Sequence, residues 1–530
     1  MASDEKRNVE LVEDIENIDS VDPYSSTTIT YWTSVKENPK VLLYTGLMTS
    51  GAMAFGFDII IVGVITAVPA FLENFGEPLG PTYIVPSLWL SLWNAFMQIG
   101  FMIGAVINGL LSDRFGRKAS MALGSTIANL AILIIYLSDR PSDVDHRRGL
   151  FLVGKTIIGV GLSMMMATTG TYVSEIAPPR LRGPMLSSFQ FLLILGQLVA
   201  AGAAHSQLSI GFKPESYRIC FATQWACSGL AFVAAIIVPE SPAFLLRHGK
   251  VEAARKSIAR LHEPESVEGS IVALMSILEH EKQMQSQSQD ASYMECFKGS
   301  NWRRTRIVIY ASIIQQFLGT TFVANGTYFM IIGGLSPVHT IMVLEICLGI
   351  ALIANLGSWV LASTLGRRRT FYGNSFFLGA IWMSVGIAGC YSSKAALWYA
   401  GVTINAVLVF FNMGAGGIIP IIIAETSSIR LRAKTTGIGF LCNGFSSWAF
   451  NFFVPYMFNR DEGNWGAKTG FFFAGLSLLA GALIFWEIPE MKNRTYTQLD
   501  EMFEKSIPTR KFAKYECVGT STAYGNKPSA

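Results

Sequence analysis

The chain has 530 residues, 51% of them hydrophobic and only 15% charged, with a formal net charge of +4. A water-soluble protein carries roughly 25% charged residues, so this chain has too little polar surface to enclose a soluble core. The small net charge is spread over loops and gives no nucleic-acid footprint; the seven cysteines lack the spacing of a disulfide framework or a zinc site.

The opening residues, MASDEKRNVELVEDIENIDS, are acidic and polar. They lack the basic-then-apolar pattern of a cleaved signal, so residues 1–40 read as a polar tail and the first helix directs insertion. Apolar segments follow at 43–71, 88–111, 118–137, 149–173, 184–206 and 218–238; about 20 such residues cross a bilayer core. Residues 239–305 are polar, and FLLRHGKVEAARKSIARLH within them alternates apolar and basic residues at helical spacing. Six more apolar segments lie at 306–333, 341–362, 371–391, 398–424, 434–458 and 469–488, and the chain is polar again from Pro489. The expected divisions are a tail at 1–40, a six-helix bundle at 41–238, a helical linker at 239–305, a second bundle at 306–488 and a tail at 489–530.

An even number of crossings leaves both termini on one side. On that side the short loops hold Arg114, Arg117, Lys118, Arg180, Arg182, Arg367, Arg368, Arg369, Arg430, Arg432 and Lys434, while the opposite loops near 72–87 and 334–340 hold no Lys or Arg. Loop 138–148, with Arg140, Arg147 and Arg148, runs against the trend. The bias predicts cytoplasmic termini, with the plasma membrane as the expected location.

Three motifs repeat in one register. Gly116 in DRFGRK and Gly366 in TLGRRR, Glu175 and Glu425, and Pro239 and Pro489 (each followed by Glu) all stand 250 positions apart. The chain is therefore a duplicated six-helix unit, the usual construction of transporters with a ligand site near mid-membrane between the repeats. Duplicated channels and membrane enzymes also exist, but the sequence supplies no ring of pore charges, metal triad or nucleophile with its base. No catalytic residue, metal or cofactor is expected.

Asp113, Arg117, Glu175, Arg182 and Glu240 in the first half, and Gly366, Arg367, Glu425, Arg432 and Glu490 in the second, fall at cytoplasmic helix ends. Carboxylates and guanidiniums there make charge-assisted, often bidentate pairs. They are expected to latch the halves together when the cytoplasmic side is shut; the plainer alternative is positive-inside anchoring. Asp58 stands inside the first apolar helix, and Lys155 is the basic residue within the fourth. Ionisable groups at such depth are functional candidates by default, although a static pair that holds two helices is the simpler role.

The motifs DRFGRK (113–118), SEIAPPRLRG (174–183), PESPAFLLRHGK (239–250), QQFLG (315–319), LGRRR (365–369), AETSSIRLR (424–432) and PEMKNRT (489–495) together resemble those of the sugar porter family of the major facilitator superfamily, over roughly residues 40–505. TYF at 327–329, the pair Asn412 and Gly416, NWGAKTGFFFAG at 464–475 and TYTQLDEMFE at 495–504 are similar to fungal α-glucoside (maltose-type) permeases. The resemblance implies an all-α integral membrane protein of the major facilitator fold, with twelve transmembrane helices in two six-helix repeats joined by a cytoplasmic helical linker. It implies a secondary active carrier that imports a sugar, an α-glucoside or a hexose, with protons by alternating access. Its partners would be that sugar, protons and the lipid bilayer, with no nucleic acid.

By register with the family motifs, Gln190, Gln315, Gln316 and Asn443 take sugar-contacting positions, where an amide both donates to and accepts from hydroxyls. Each can equally bond a neighbouring helix. The same resemblance pairs Asp58 with Lys155 for proton coupling, Lys155 standing where the family carries Arg. Other departures are Ser363 for an Asp, Thr321 for an Asn, Asn325-Gly326 for aromatic or small polar residues, and Pro420 for a Trp. They keep open a carrier of the same fold for a polyol, a quinate-like acid or a fungal secondary metabolite, in either direction. A sugar receptor that signals is a third reading, and the short tail after the last helix argues against it.

Overall fold

A computed structural model of the chain describes Lys36 and residues 38–515, apart from 80–81, 209–212, 262–266, 289–292, 429–430, 493 and 495. The rest of the expected tails, 1–35, 37 and 516–530, lies outside the described residues.

The first half begins with α1 (Pro39–Ile65). This helix stops six residues before its expected end because Thr66 turns its hydroxyl back onto the carbonyl of Gly63 and Pro69 starts a new helix. That helix, α2 (Pro69–Phe75), is followed by a two-stranded antiparallel hairpin of β1 (Glu77–Leu79) and β2 (Thr82–Ile84). Then come α3 (Ser87–Phe115), α4 (Arg117–Tyr136), α5 (Val144–Ile176), α6 (Pro179–Gln207) and α7 (Glu215–Ile237). The linker folds as α8 (Pro242–Arg247), α9 (Val251–Leu261) and α10 (Val267–Ser288). Ser241 caps α8 by accepting from the Phe244 amide, which replaces one of the helix's missing acceptors.

The second half contains α11 (Gly299–Phe317), α12 (Thr320–Ala324), α13 (Gly326–Ile332), α14 (Pro337–Thr364), α15 (Arg367–Ala388), α16 (Lys394–Met413), α17 (Ala415–Thr426), α18 (Arg432–Phe458) and α19 (Thr469–Glu487), and then a peripheral α20 (Tyr496–Glu504). Among the described residues, eleven helical stretches are long and apolar enough to cross a bilayer. The more polar α18, 27 residues long, makes the twelfth.

Two further helices read as continuous are broken. The stretch expected at 306–333 divides at Gly319, whose φ of +86° is left-handed and whose missing Cβ would stand 2.4 Å from the Trp382 ring. The one expected at 398–424 divides at Gly414, where a Cβ would stand 2.4 Å from the Asn374 side chain. Backbone groups freed at such breaks need partners inside a membrane. Trp382 Nε1 donates to the Leu318 carbonyl at 2.9 Å, and the Asn374 amide donates to Phe410 O at 2.9 Å and accepts from Ala415 N at 3.1 Å. Discontinuous helices of this kind line ligand cavities in transporters.

Within the first half, α1 and α6 touch backbone to backbone. A Cβ on Gly56 would fall 1.9 Å from the Leu193 carbonyl oxygen, and one on Gly196 would fall 2.0 Å from that of Met53; small residues permit this approach, on which helix association in lipid depends. The halves meet along two seams, α3 against α18 and α6 against α14. The repeat relates these seams, each setting the second helix of one half on the fifth of the other. Large apolar side chains such as Leu110, Ile353, Phe440 and Trp486 remain exposed on the outside of the bundle, where lipid is the solvent. The first residues of α1, the linker and α20 share one face, here the terminal face. Arg260 of α9 stacks on Tyr44, and Arg304 pairs with Asp500 of α20.

Candidate transport site

Asp58 and Lys155 meet. The Lys155 Nζ lies 2.6 Å from Asp58 Oδ2, and both residues are at most 2% exposed. The other carboxylate oxygen accepts from Gln224 Nε2 at 3.1 Å, so α1, α5 and α7 converge on one acid. Gln224, itself 1% exposed, has no motif around it. The only signal in the sequence was a lone amide in an apolar helix.

The four amides assigned to the ligand are placed differently from one another. Gln190 of α6 crosses to the other half and donates to Asn412 Oδ1 at 3.0 Å. Asn412, at the end of α16, donates in turn to the Leu408 carbonyl. Gln316 is buried and accepts from the Thr321 and Thr320 hydroxyls at 2.6 and 3.2 Å, so it braces the break after α11. Gln315, half-buried, makes no side-chain hydrogen bond among the described residues and is the freer of the two. Asn443 is half-buried on α18; its neighbour Gly444 packs on Met102 of α3, which places it at the seam between the halves.

The acid–base sets form twin elbows on the terminal face. Arg117 grips Glu175 with two hydrogen bonds, Nε to Oε2 at 3.0 Å and NH2 to Oε1 at 2.8 Å, and donates a third to the Ser112 carbonyl. Asp113 stands 3.6 Å from the same guanidinium and is largely exposed. The Glu240 carboxylate accepts from the backbone N–H groups of Arg117 and Lys118 at 3.0 and 3.2 Å, neutralising the positive start of α4. In the second half Glu490 accepts from the amides of Arg367 and Arg368 at 3.0 and 3.3 Å. Arg367 holds Glu425 through one bond of 2.9 Å, and Arg367 Nε and Glu425 Oε2 are buried without a partner among the described residues. Gly116 and Gly366 have φ of +97° and +90°, and a Cβ on either would strike the Glu240 or Glu490 carboxylate at 2.3 and 2.6 Å.

The expected latch between the halves concerns a state in which the terminal side is shut. Arg117 with Glu175 and Arg367 with Glu425 each bind within a single half. Glu240 and Glu490 directly follow the last helix of their own bundle and reach the nearest helix start. Glu175 also accepts from Arg247 NH1 at 3.4 Å; the side chains of Arg182 and Arg432 lie outside the described residues.

Hydrogen bonds join the halves instead at mid-membrane and at the face opposite the termini. There Tyr328 and Asn459 hold the backbone of Val85, and Asp461 accepts from the amide and hydroxyl of Ser87 at the start of α3. His205 Nδ1 and Glu345 Oε2 stand 2.8 Å apart between α6 and α14. That face is closed.

A family model described as "Sugar (and other) transporter" matches residues 45–503. The chain belongs to this transporter family. This member is 30% identical to "MFS transporter fmqE" of Aspergillus fumigatus over 91% of each chain. It is 29% identical to the "General alpha-glucoside permease" of Saccharomyces cerevisiae, over 90% of this chain and 77% of that one. Among solved structures, the "Inward open conformation of the xylose transporter XylE from E. coli" superposes with a TM-score of 0.69 at 19% identity, covering 87% of this chain and 99% of that one. The latter likeness shows the all-α fold; the family match, a relative named an MFS transporter and the eleven apolar helical stretches among the described residues make this transporter a multi-pass membrane protein of the major facilitator type.

Proposed function

We propose that this transporter is a secondary active carrier that imports a sugar, an α-glucoside or a hexose, together with protons, across the plasma membrane, with both termini in the cytoplasm. The observation that carries the reading is the sealed Asp58–Lys155 pair, joined at 2.6 Å. A buried ion pair contributes little to stability over an apolar substitute, so its retention in a membrane helix calls for a function. A proton arriving from outside neutralises Asp58 and dissolves its attraction to Lys155, and α1 and α5 are freed to shift. With cytoplasmic termini, the face tied by Tyr328, Asn459 and Asp461 is the outer one.

In this mechanism Gln190, Gln315 and Asn443 meet the sugar hydroxyls. Gln316 shapes the wall, since its oxygen is already engaged by Thr320 and Thr321. The Gln190–Asn412 bond is one that a hydroxyl can replace on both sides, which couples ligand arrival to the contact between halves. Asp113, Arg117, Glu175, Arg182 and Glu240, with Gly366, Arg367, Glu425, Arg432 and Glu490, serve the conformational cycle and not binding. Relatives named as α-glucoside permeases and a fold neighbour titled a proton:xylose symporter support the substrate class.

The test is uptake of radiolabelled hexoses, disaccharides and polyols in transporter-null yeast, with and without an uncoupler. One sugar is expected to accumulate against its gradient, and the uncoupler to abolish the accumulation. A well-expressed carrier that concentrates no sugar in the panel, or does so regardless of uncoupler, overturns the reading.

A further inference from the structure

We propose that His205 and Glu345 form a charged latch holding the outer ends of α6 and α14 together, which must part before the carrier can load from outside. The term outer rests on the orientation and carrier reading above. His205 is the third residue from the end of α6, and Glu345 lies eight residues into α14, about 12 Å along its axis. Both belong to apolar membrane helices, where an ionisable side chain is kept for a reason. Their facing atoms are 2.8 Å apart, and their side chains are 38% and 23% exposed. The contact is thus an ion pair whenever His205 is protonated, sheltered enough to hold and open enough to break. Gly202, one turn before His205, faces the same carboxylate, with a Cβ there standing 4.0 Å from Glu345 Oε1, an ordinary contact.

The internal repeat shows that the fold does not require this contact. Shifted by 250 positions, His205 becomes Pro455 and Glu345 becomes Ala95, so the twin seam between α3 and α18 has no ionisable pair at the equivalent place. That seam is tied by a different device, the Asp461 carboxylate on the first N–H and hydroxyl of α3. Asp58 and Lys155 both belong to the first half and cannot hold the halves to each other. His205 and Glu345 are, by contrast, one ionisable group from each half, set across the line that must open.

The experiment reads outer-face opening directly, with no solute present. Val85, fully buried beneath the outer ties and bonded only through its backbone, is replaced as Val85→Cys in a Cys390→Ser background, because Cys390 is an exposed thiol. Intact cells are treated with a membrane-impermeant maleimide. His205→Ala and Glu345→Ala are each expected to speed labelling by roughly two- to fivefold, the upper range of a partly exposed ion pair. The double variant should be no faster than the faster single, because both remove one interaction. If Glu345→Ala fails to reach the surface, Glu345→Gln removes the charge while keeping the shape. Unchanged labelling in both singles at normal surface expression, or effects that add in the double variant, overturns the latch. Because neither sugar nor a proton gradient is used, a wrong substrate leaves this result standing, and a failed latch leaves the uptake result standing.

Discussion

Asp58→Asn keeps the shape of the carboxylate, removes its charge and so imitates the protonated acid. Lys155 Nζ then faces an amide at 2.6 Å in a site where neither partner is more than 2% exposed. Removing one partner of a buried pair costs about 3–5 kcal/mol. The remaining carbonyl oxygen still accepts one hydrogen bond, from Lys155 or Gln224, which offsets about 1 kcal/mol. The residual, about 2–4 kcal/mol, corresponds to a shift of roughly 30- to 1,000-fold in the balance between paired and parted helices. The assay is a proteoliposome with an imposed pH gradient, compared with exchange of labelled for unlabelled solute without one. Asp58→Asn should lose uphill accumulation and its dependence on pH while exchange persists within a fewfold. Accumulation driven by the gradient in Asp58→Asn would refute the reasoning. A companion variant, Asp58→Asn with Lys155→Met, removes the stranded charge and is expected to regain thermal stability over Asp58→Asn alone.

Gln190→Ala and Gln315→Ala should each weaken apparent affinity by about fivefold, near 1 kcal/mol, at normal surface expression; unchanged affinity in both removes them from the cavity. Glu425→Gln should cut turnover far more than binding, so lost ligand binding with intact exchange contradicts its place in the cycle. Glu175→Gln should lower thermal stability more than Glu425→Gln does, since Glu175 holds its arginine by two bonds and Glu425 by one; equal melting shifts speak against this ranking. Gly116→Ala, forced to a φ of +97° with its methyl 2.3 Å from Glu240, should cost about 1–3 kcal/mol. Gly109→Ala, with nothing within 4 Å, is the control and should stay within about 0.5 kcal/mol.

The helices were legible because the bilayer sets their length, and the register of the duplication was legible because Gly116, Glu175 and Pro239 each return 250 positions later. The Asp58–Lys155 contact could be named since each is an isolated charge in its helix. The breaks at Gly319 and Gly414 were not legible: a glycine in an apolar run serves close packing as readily as a bend. What decides is Trp382 or Asn374 arriving from another helix. Gln224, His205 and Glu345 escaped for the same reason, being single polar residues whose meaning lies in partners 140 or 166 positions away. The Arg117–Glu175 pairing was not legible either, since the fold brings the two together across 58 positions.

The backbone contact between α1 and α6 has a bearing on energy conversion. Gly56 stands two residues from Asp58, and Gly196 six residues from Gln190. With carbonyl oxygens filling the space beside each glycine, neither helix can slide without dragging the main chain of the other. On the proposed mechanism the ion and the cargo are therefore read by one solid piece of protein, with no relay of side chains between them. Slippage, the passage of protons without cargo, then depends on how closely two glycines fit. A methyl group inserted at either one, 1.9 or 2.0 Å from a main-chain oxygen, would force the two helices apart and loosen that coupling.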